Sequence, residues 1–306
     1  MRIVFMGTPD FAVPSLSALI QAGHQVCGVF SQPDKPVGRH QNKLQPTPVK
    51  SCALEHEIPV FQPTTLRDGQ ALEQLKELAP ELIVVAAYGK VLPDEILSLP
   101  PKGCINVHSS LLPKYRGAAP IHWAVVNGEE ETGVTIMDMA HELDAGDIIS
   151  QIKTPIGPDE IVEQVHDRLA QLGGTLLVQV VEQIAAGTAV RTPQDPAQVT
   201  YAPMLSRKMS TIDWTAPAKV IHNKIRGLNP WPATATEAIS GDMVKVFRSV
   251  LLGQKTRAQA GAVVAACADG IDMACGDGQI LRILELQAPG SRRMSVGDYL
   301  RGHPLS

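Results

Sequence analysis

The sequence predicts an α/β protein, a mostly parallel sheet domain followed by a small β-barrel domain, and three observations carry that prediction. Over the first 190 or so residues, apolar strand-like runs alternate with helical stretches, the β-α alternation from which parallel sheets are built. Leu82-Ile83-Val84-Val85-Ala86-Ala87 is apolar throughout, as a parallel strand covered on both faces must be. Beyond Trp231 the pattern changes to short strands punctuated by Gly241, Gly270, Gly276 and Gly278, which suits a small barrel. A chain of 306 residues is long enough for two domains that each bury a core. We place them at 1–189 and 207–306, with a Pro-rich linker at 190–206 carrying Pro193, Pro196 and Pro203.

In order along the chain, Arg2 to Met6 reads as a strand that turns at Gly7-Thr8-Pro9-Asp10 into a helix reaching about Ala22, which Asp10 can cap. A dinucleotide fold would need Gly-x-Gly-x-x-Gly at this turn; only Gly7 is present and Pro9 removes an N–H, which argues against a nicotinamide cofactor. The second strand, Gln25 to Ser31, opens a long loop from Gln32 to Pro46. Its basic residues Lys35, Arg39 and Lys43 outnumber its one acid, Asp34, and loops of this length tend to be functional or disordered. A helix from Thr47-Pro48, a short strand at Pro59-Val60-Phe61 and a helix over Gln70–Leu78 lead to the apolar strand and the loop Tyr88-Gly89-Lys90-Val91-Leu92-Pro93.

The next strand ends at Cys104-Ile105-Asn106-Val107-His108, broken afterwards by Pro113 and Gly117. Asn106 and His108 stand two apart and so share one face. An amide donor beside an imidazole, at the C-terminal edge of a sheet, suits stabilising a developing oxyanion and moving a proton. Ligands of open α/β sheets bind outside that edge, so the 88–92 loop and this strand end form two walls of one cleft. A helix to Asn127, strands over Thr132–Met139 and Ile148–Ile156, an acidic turn at Leu143-Asp144-Ala145-Gly146-Asp147 and a long helix ending at Ala186 complete the first domain.

Composition narrows the function classes. No apolar run reaches the length of a membrane span and the N-terminus does not read as a signal peptide, so a soluble cytoplasmic protein is expected. Five scattered cysteines without a Cys-x-x-Cys pair read as reduced core residues, and no His/Cys spacing suggests a metal. Residues 207–306 carry 13 Lys+Arg against 8 Asp+Glu, whereas residues 1–206 carry 14 against 23, so a polyanionic partner would meet the C-terminal part.

Several motifs together resemble the methionyl-tRNA formyltransferases within the folate-dependent formyltransferases. The matching pieces are Met6-Gly7-Thr8-Pro9-Asp10-Phe11-Ala12-Val13-Pro14, Gln32-Pro33-Asp34, Asn106-Val107-His108, the run Ser110 to Pro120, Leu143-Asp144-Ala145-Gly146-Asp147 and Asn229-Pro230-Trp231-Pro232. Asn-x-His, Ser-Leu-Leu-Pro and Asp-x-Gly-Asp are common to relatives acting on glycinamide ribonucleotide or amino sugars; the opening nonapeptide, the basic loop and the second domain narrow the resemblance to the tRNA enzymes. Glu142 stands where relatives often have Gly, and His122 where they often have Gln.

The resemblance implies a Rossmann-like domain that binds 10-formyltetrahydrofolate, a C-terminal barrel like an OB-fold, and transfer of the formyl group to the α-amine of initiator methionyl-tRNA. It implies catalytic roles for Asn106, His108 and Asp144, without metal or covalent enzyme intermediate. Folate contacts are expected from Tyr88, Gly89, Lys90, Val91, Leu92, Ser109, Ser110, Leu111, Leu112 and Leu143, and tRNA contacts from Lys35, Arg39 and Lys43. A monomer is expected. Two other readings are a formyltransferase for a small amine and a nucleic-acid-binding module without catalysis; the Asn106, His108 and Asp144 set argues against the second.

Overall fold

The computed structural model describes residues 1–37 and 43–304; Arg39, one of the expected tRNA contacts, lies outside them. The described chain divides into two compact units, one made of 1–117, 133–154 and 166–201, the other of 118–132, 155–165 and 202–306. The second unit thus takes in two segments from the part of the sequence assigned to the first domain.

The first unit follows the predicted alternation: β1 (Arg2–Gly7), α1 (Val13–Gln21), β2 (Gln25–Phe30), β3 (Lys35–Val37), β4 (Lys43–Gln45), α2 (Pro48–Glu55), β5 (Val60–Phe61), α3 (Gln70–Leu78), β6 (Leu82–Ala86), α4 (Asp94–Leu97) and β7 (Cys104–His108). Next in the chain come α5 (Pro120–Val126), which belongs to the second unit, then β8 (Glu131–Asp138), β9 (Ile148–Pro155) and α6 (Val162–Ala186). The sheet order is β5-β2-β1-β6-β7-β8-β9, parallel from β5 to β7 and antiparallel at β7–β8. All five residues of β6 are buried, the burial on both faces that its unbroken apolar run requires.

The loop from Gln32 to Pro46 is more structured than a plain loop, because Lys35–Val37 and Lys43–Gln45 pair as an antiparallel hairpin. Its root is fastened: Asp34 accepts from Lys50 Nζ at 2.6 Å and from Gln62 Nε2 at 2.7 Å. Those two donors, Lys50 first, hold its carboxyl below the usual carboxylate range. Helix α2 starts where expected, with the Thr47 hydroxyl accepting from the Lys50 N–H and Pro48 in the first turn. Asp10 differs from expectation: its carboxylate accepts from the adjacent Phe11 N–H and lies 3.7 Å from His166 Nε2, and the residue begins a short 3-10 turn, Asp10–Ala12, ahead of α1. Helix α6 is long and apolar enough to cross a membrane by length and composition, but half of that stretch is buried inside the protein, as befits a core helix.

The second unit holds α7 (Ala218–Gly227), the strands β10 (Thr234–Thr236), β11 (Val244–Lys255), β12 (Val263–Cys267), β13 (Gly270–Ala274), β14 (Gln279–Gln287) and β15 (Met294–Ser295), and α8 (Val296–Gly302). Its strands form an antiparallel sheet in the order β10-β11-β14-β13-β12, with β15 on β14. One apolar cluster, including Trp214, Ile221, Ile225, Val246, Met273, Ile283 and Tyr299, lies between the helices and this sheet. The cysteines are free, and Cys267 is exposed rather than in the core, because its strand β12 forms the open edge of the sheet.

Candidate active site

Strand β7 carries the first two candidate residues. It lies between β6, where Val85 is opposite Asn106, and β8, where Thr135 is opposite His108. Side chains alternate, so Val107 points the other way. There it meets α6 at Gly173, where an added Cβ would lie 3.0 Å from Val107 Cγ1. The helix thereby covers one face of β7, and Asn106 and His108 share the opposite face.

His108 is 6% exposed and held from two sides. Its Nε2 lies 3.0 Å from the Tyr115 carbonyl. Since a carbonyl only accepts, Nε2 is assigned a proton, whatever Nδ1 carries. Its Nδ1 faces Asp144 Oδ2 at 3.7 Å. The same carboxylate oxygen accepts from the Gly117 N–H at 2.8 Å. Asp144, on the turn after β8, thus sits between His108 and the loop that follows β7. This is a base-and-orienter geometry of the kind that tightens once substrate is bound.

Three non-glycine residues in these strand-end loops have left-handed backbones: Ala87 (φ 46°), Tyr115 (φ 62°) and Asp144 (φ 50°). Such conformations persist only where surrounding contacts over-determine them, and they gather at functional sites. The turn that carries Asp144 also needs Gly146. A Cβ there would stand 1.8 Å from the Asp138 carbonyl oxygen, so only glycine lets the turn close against the end of β8.

The other candidates divide by what their side chains touch. Tyr88 and Leu92 are buried in the core with Val4, Met6, Phe30 and Ile96, so that what they can offer a ligand is backbone. The Tyr88 carbonyl already accepts from Thr8 Oγ1 at 3.0 Å and Gln32 Nε2 at 3.1 Å, and burial pushes its phenol up to about 12. Lys90 Nζ donates to the Thr64 carbonyl at 2.6 Å. Ser110 and Leu112 are also buried and serve the loop itself: Ser110 Oγ donates to the Lys114 carbonyl at 2.7 Å, and the Leu112 N–H donates to Thr135 Oγ1 at 3.1 Å. Ser109 and Leu111 are half-buried. Val91 and Leu143 are open to solvent, 72% and 60% exposed. Lys35 opens the first hairpin strand, opposite Gln45, and Lys43 opens the second, opposite Val37. Among the described residues, no three His, Cys, Asp or Glu side chains converge as a metal site would need.

Two side chains near Asp144 were not singled out in the sequence, Arg116 and Gln194. Arg116 is 6% exposed and donates to Gln194 Oε1 and to Glu142 Oε1. Arg116 lies within a matched motif, which marks the segment but not the side chain. Gln194 lies in the Pro-rich stretch read as linker and has no sequence signal of its own.

The formyl transferase family matches residues 1–181, and its C-terminal domain matches residues 204–304. A methionyl-tRNA formyltransferase from Moorella thermoacetica is 52% identical over 305 residues, covering 100% of this chain and 97% of that one. The chain belongs to the formyl transferase family. Two solved structures share its fold. An N-formyltransferase from Helicobacter canadensis, in complex with folinic acid and dTDP-3-aminofucose, has TM-score 0.70 at 19% identity, covering 94% of this chain and 99% of that one. HypX from Aquifex aeolicus, in complex with tetrahydrofolic acid, has TM-score 0.65 at 17% identity and covers 98% of this chain. The chain spans 47% of HypX's length. In this formyl transferase, then, the strand-end constellation of Asn106, His108 and Asp144 lies within the family's N-terminal domain.

Proposed function

We propose that the chain transfers the formyl group of 10-formyltetrahydrofolate to the α-amine of initiator methionyl-tRNA, in the cytoplasm and as a monomer. The observation that carries this reading is full-length likeness, at 52% identity, to a protein of that activity. Domain 1–189 would hold the donor and the chemistry, 190–206 would connect, and the basic domain 207–306 would meet the tRNA. Lys35, Arg39 and Lys43 of the hairpin insertion would reach its acceptor end, Arg39 holding a phosphate through two parallel hydrogen bonds.

The residues present fit a folate. Val91 and Leu143 leave two large apolar side chains open at strand-end loops, while the burial of Tyr88 and Leu92 leaves the 88–92 backbone to hydrogen-bond a flat ring. Bound there, with Ser109 and Leu111 beside it, the cofactor supplies a formyl carbon for the amine to attack. Asn106 would donate its amide N–H to the formyl oxygen as negative charge grows, and loss of such a donor costs about 10²–10³ in rate. His108 would add the second donor, its Nε2–H released from the Tyr115 carbonyl. In the protonated imidazole Asp144 would accept from Nδ1–H and so orient the ring and, with a water, carry the amine proton towards the leaving nitrogen.

A formylation assay with charged initiator tRNA, charged elongator tRNA, glycinamide ribonucleotide and an amino sugar nucleotide tests the reading. Formylation of the initiator tRNA is expected. Turnover of a small amine with none of either tRNA would overturn it.

A further inference from the structure

The stretch 190–206 does more than span a gap. Thr192 exchanges two backbone hydrogen bonds with Ile148, at 2.8 and 2.9 Å. Further on, the Thr200 carbonyl accepts from the Arg116 N–H at 2.9 Å, and its hydroxyl accepts from the Tyr115 N–H at 2.9 Å. Between these two seams every residue from Pro193 to Gln198 is exposed except Gln194. Its Nε2 donates to the Asp144 carbonyl at 2.7 Å and to the Gly146 carbonyl at 2.9 Å. Its Oε1 accepts from Arg116 Nε at 3.1 Å and Nη2 at 2.9 Å. Both amide protons and both oxygen lone pairs are therefore engaged.

We infer that Gln194 is a positioning residue for formyl transfer: it ties the turn that carries Asp144 to the Arg116 loop that carries the Tyr115 carbonyl and the Gly117 N–H. This rests on the reading proposed above. Asp144 keeps its left-handed backbone only while contacts hold it, and its carboxylate must stay between His108 and Gly117. Among the described residues, the other polar link between these loops through Arg116 runs to Glu142, whose side chain is 73% exposed, and an ion pair so open to water restrains little. The amide supplies donors to one loop and an acceptor to the other, which no charged side chain of that size can do.

Gln194→Leu removes all four bonds at similar volume. Gln194→Glu keeps the acceptors for Arg116 but loses both donors to the Asp144 turn. Both variants are expected to lower kcat about 10- to 100-fold, the scale of loss when a reacting group is displaced by about 1 Å, with the KM for folate and for methionyl-tRNA little changed. Gln194→Glu is expected to unfold at nearly the wild-type temperature. In an Asp144→Asn background, adding Gln194→Leu should lower kcat no more than about twofold further, because the effect passes through Asp144. Wild-type kcat in Gln194→Glu, or losses that multiply in the double variant, would overturn the inference. Should Gln194→Leu fail to fold, Gln194→Glu and its own double variant with Asp144→Asn decide the matter. A wild-type chain that leaves methionyl-tRNA unformylated overturns the functional reading and this inference with it; an active wild type beside an equally active Gln194→Glu overturns the inference alone.

Discussion

Replacing Gly146 by alanine perturbs the proposed catalytic turn from inside. The new Cβ would lie 1.8 Å from the Asp138 carbonyl oxygen and 2.7 Å from its carbon, where ordinary contact begins at 3.4 Å. The obstacle is backbone at the end of β8, which is fixed by sheet pairing, so the turn must retreat by roughly 1.5 Å to relieve the overlap. That displacement is comparable with the margin of the bonds it breaks: Gln194 holds the Asp144 and Gly146 carbonyls at 2.7 and 2.9 Å, and Asp144 accepts from Gly117 at 2.8 Å. A misplacement of about 1 Å in a group that orients the proton carrier costs on the order of 10²-fold, about 2.7 kcal/mol of barrier. Gly146→Ala should therefore lose about two decades in kcat for methionyl-tRNA formylation. Gly302→Ala, whose Cβ would meet nothing within 4 Å, serves as the control and should match wild type. Single-turnover formylation with saturating folate measures the loss, and thermal unfolding of both variants separates it from global damage. A Gly146→Ala enzyme with unchanged single-turnover rate would refute the claim that the turn's closure on β8 sets the position of Asp144.

Other consequences are as direct. Asn106→Ala and His108→Ala should each lose about 10²–10³ in rate while retaining folate affinity, as titration of folate into each variant will read. Methionyl-tRNA affinity should fall with salt, each neutralised phosphate adding a logarithmic slope of roughly −0.9; a flat response would leave the basic surface of 207–306 without a role. In the second unit, His222 is 3% exposed, with Nε2 donating to the Pro158 carbonyl and Nδ1 accepting from Ser249 Oγ, and burial lowers its pKa below the model-peptide value. The unfolded chain then binds the proton first as pH falls below about 6.5, so stability present at neutral pH is lost on acidification. Melting between pH 7.5 and 5.5 should show that loss, and His222→Gln should flatten it. Finally, Cys267 should react with a thiol reagent well before Cys104 and Cys275, whose thiols burial pushes up to about 12 and about 11. Mass mapping after brief alkylation checks the order.

Much of this protein was legible from the chain because the signals were local. The apolar run 82–87 read as a strand buried on both faces, and its first five residues are β6 at the middle of the first sheet, while Ala87 lies outside the strand, exposed and left-handed. Residue spacing alone put Asn106 and His108 on one face of a strand end, since side chains alternate along any strand. Thr47-Pro48 read as a helix start and is one. Where two signals were weak the outcome moved: Asp10 caps nothing beyond its neighbour, and the basic loop folds back as a short hairpin, because strand pairing across an insertion is not visible in either strand separately.

Tertiary structure decided the rest, through contacts between residues far apart in the chain. The Asp144 carboxylate comes 3.7 Å from His108, 36 positions away, only because β8 runs antiparallel beside β7 and the following turn folds back over its end. That Tyr88 and Leu92 face the core while Val91 faces out depends on the path of the loop after β6, which hydrophobicity alone leaves undetermined: all three are apolar. Arg116 and Gln194 meet across 78 positions. No periodicity, composition or turn propensity marks a glutamine in a proline-rich stretch as the partner of a buried arginine; the pair exists because the chain crosses back over the strand ends, where an amide can donate to one loop and accept from the other.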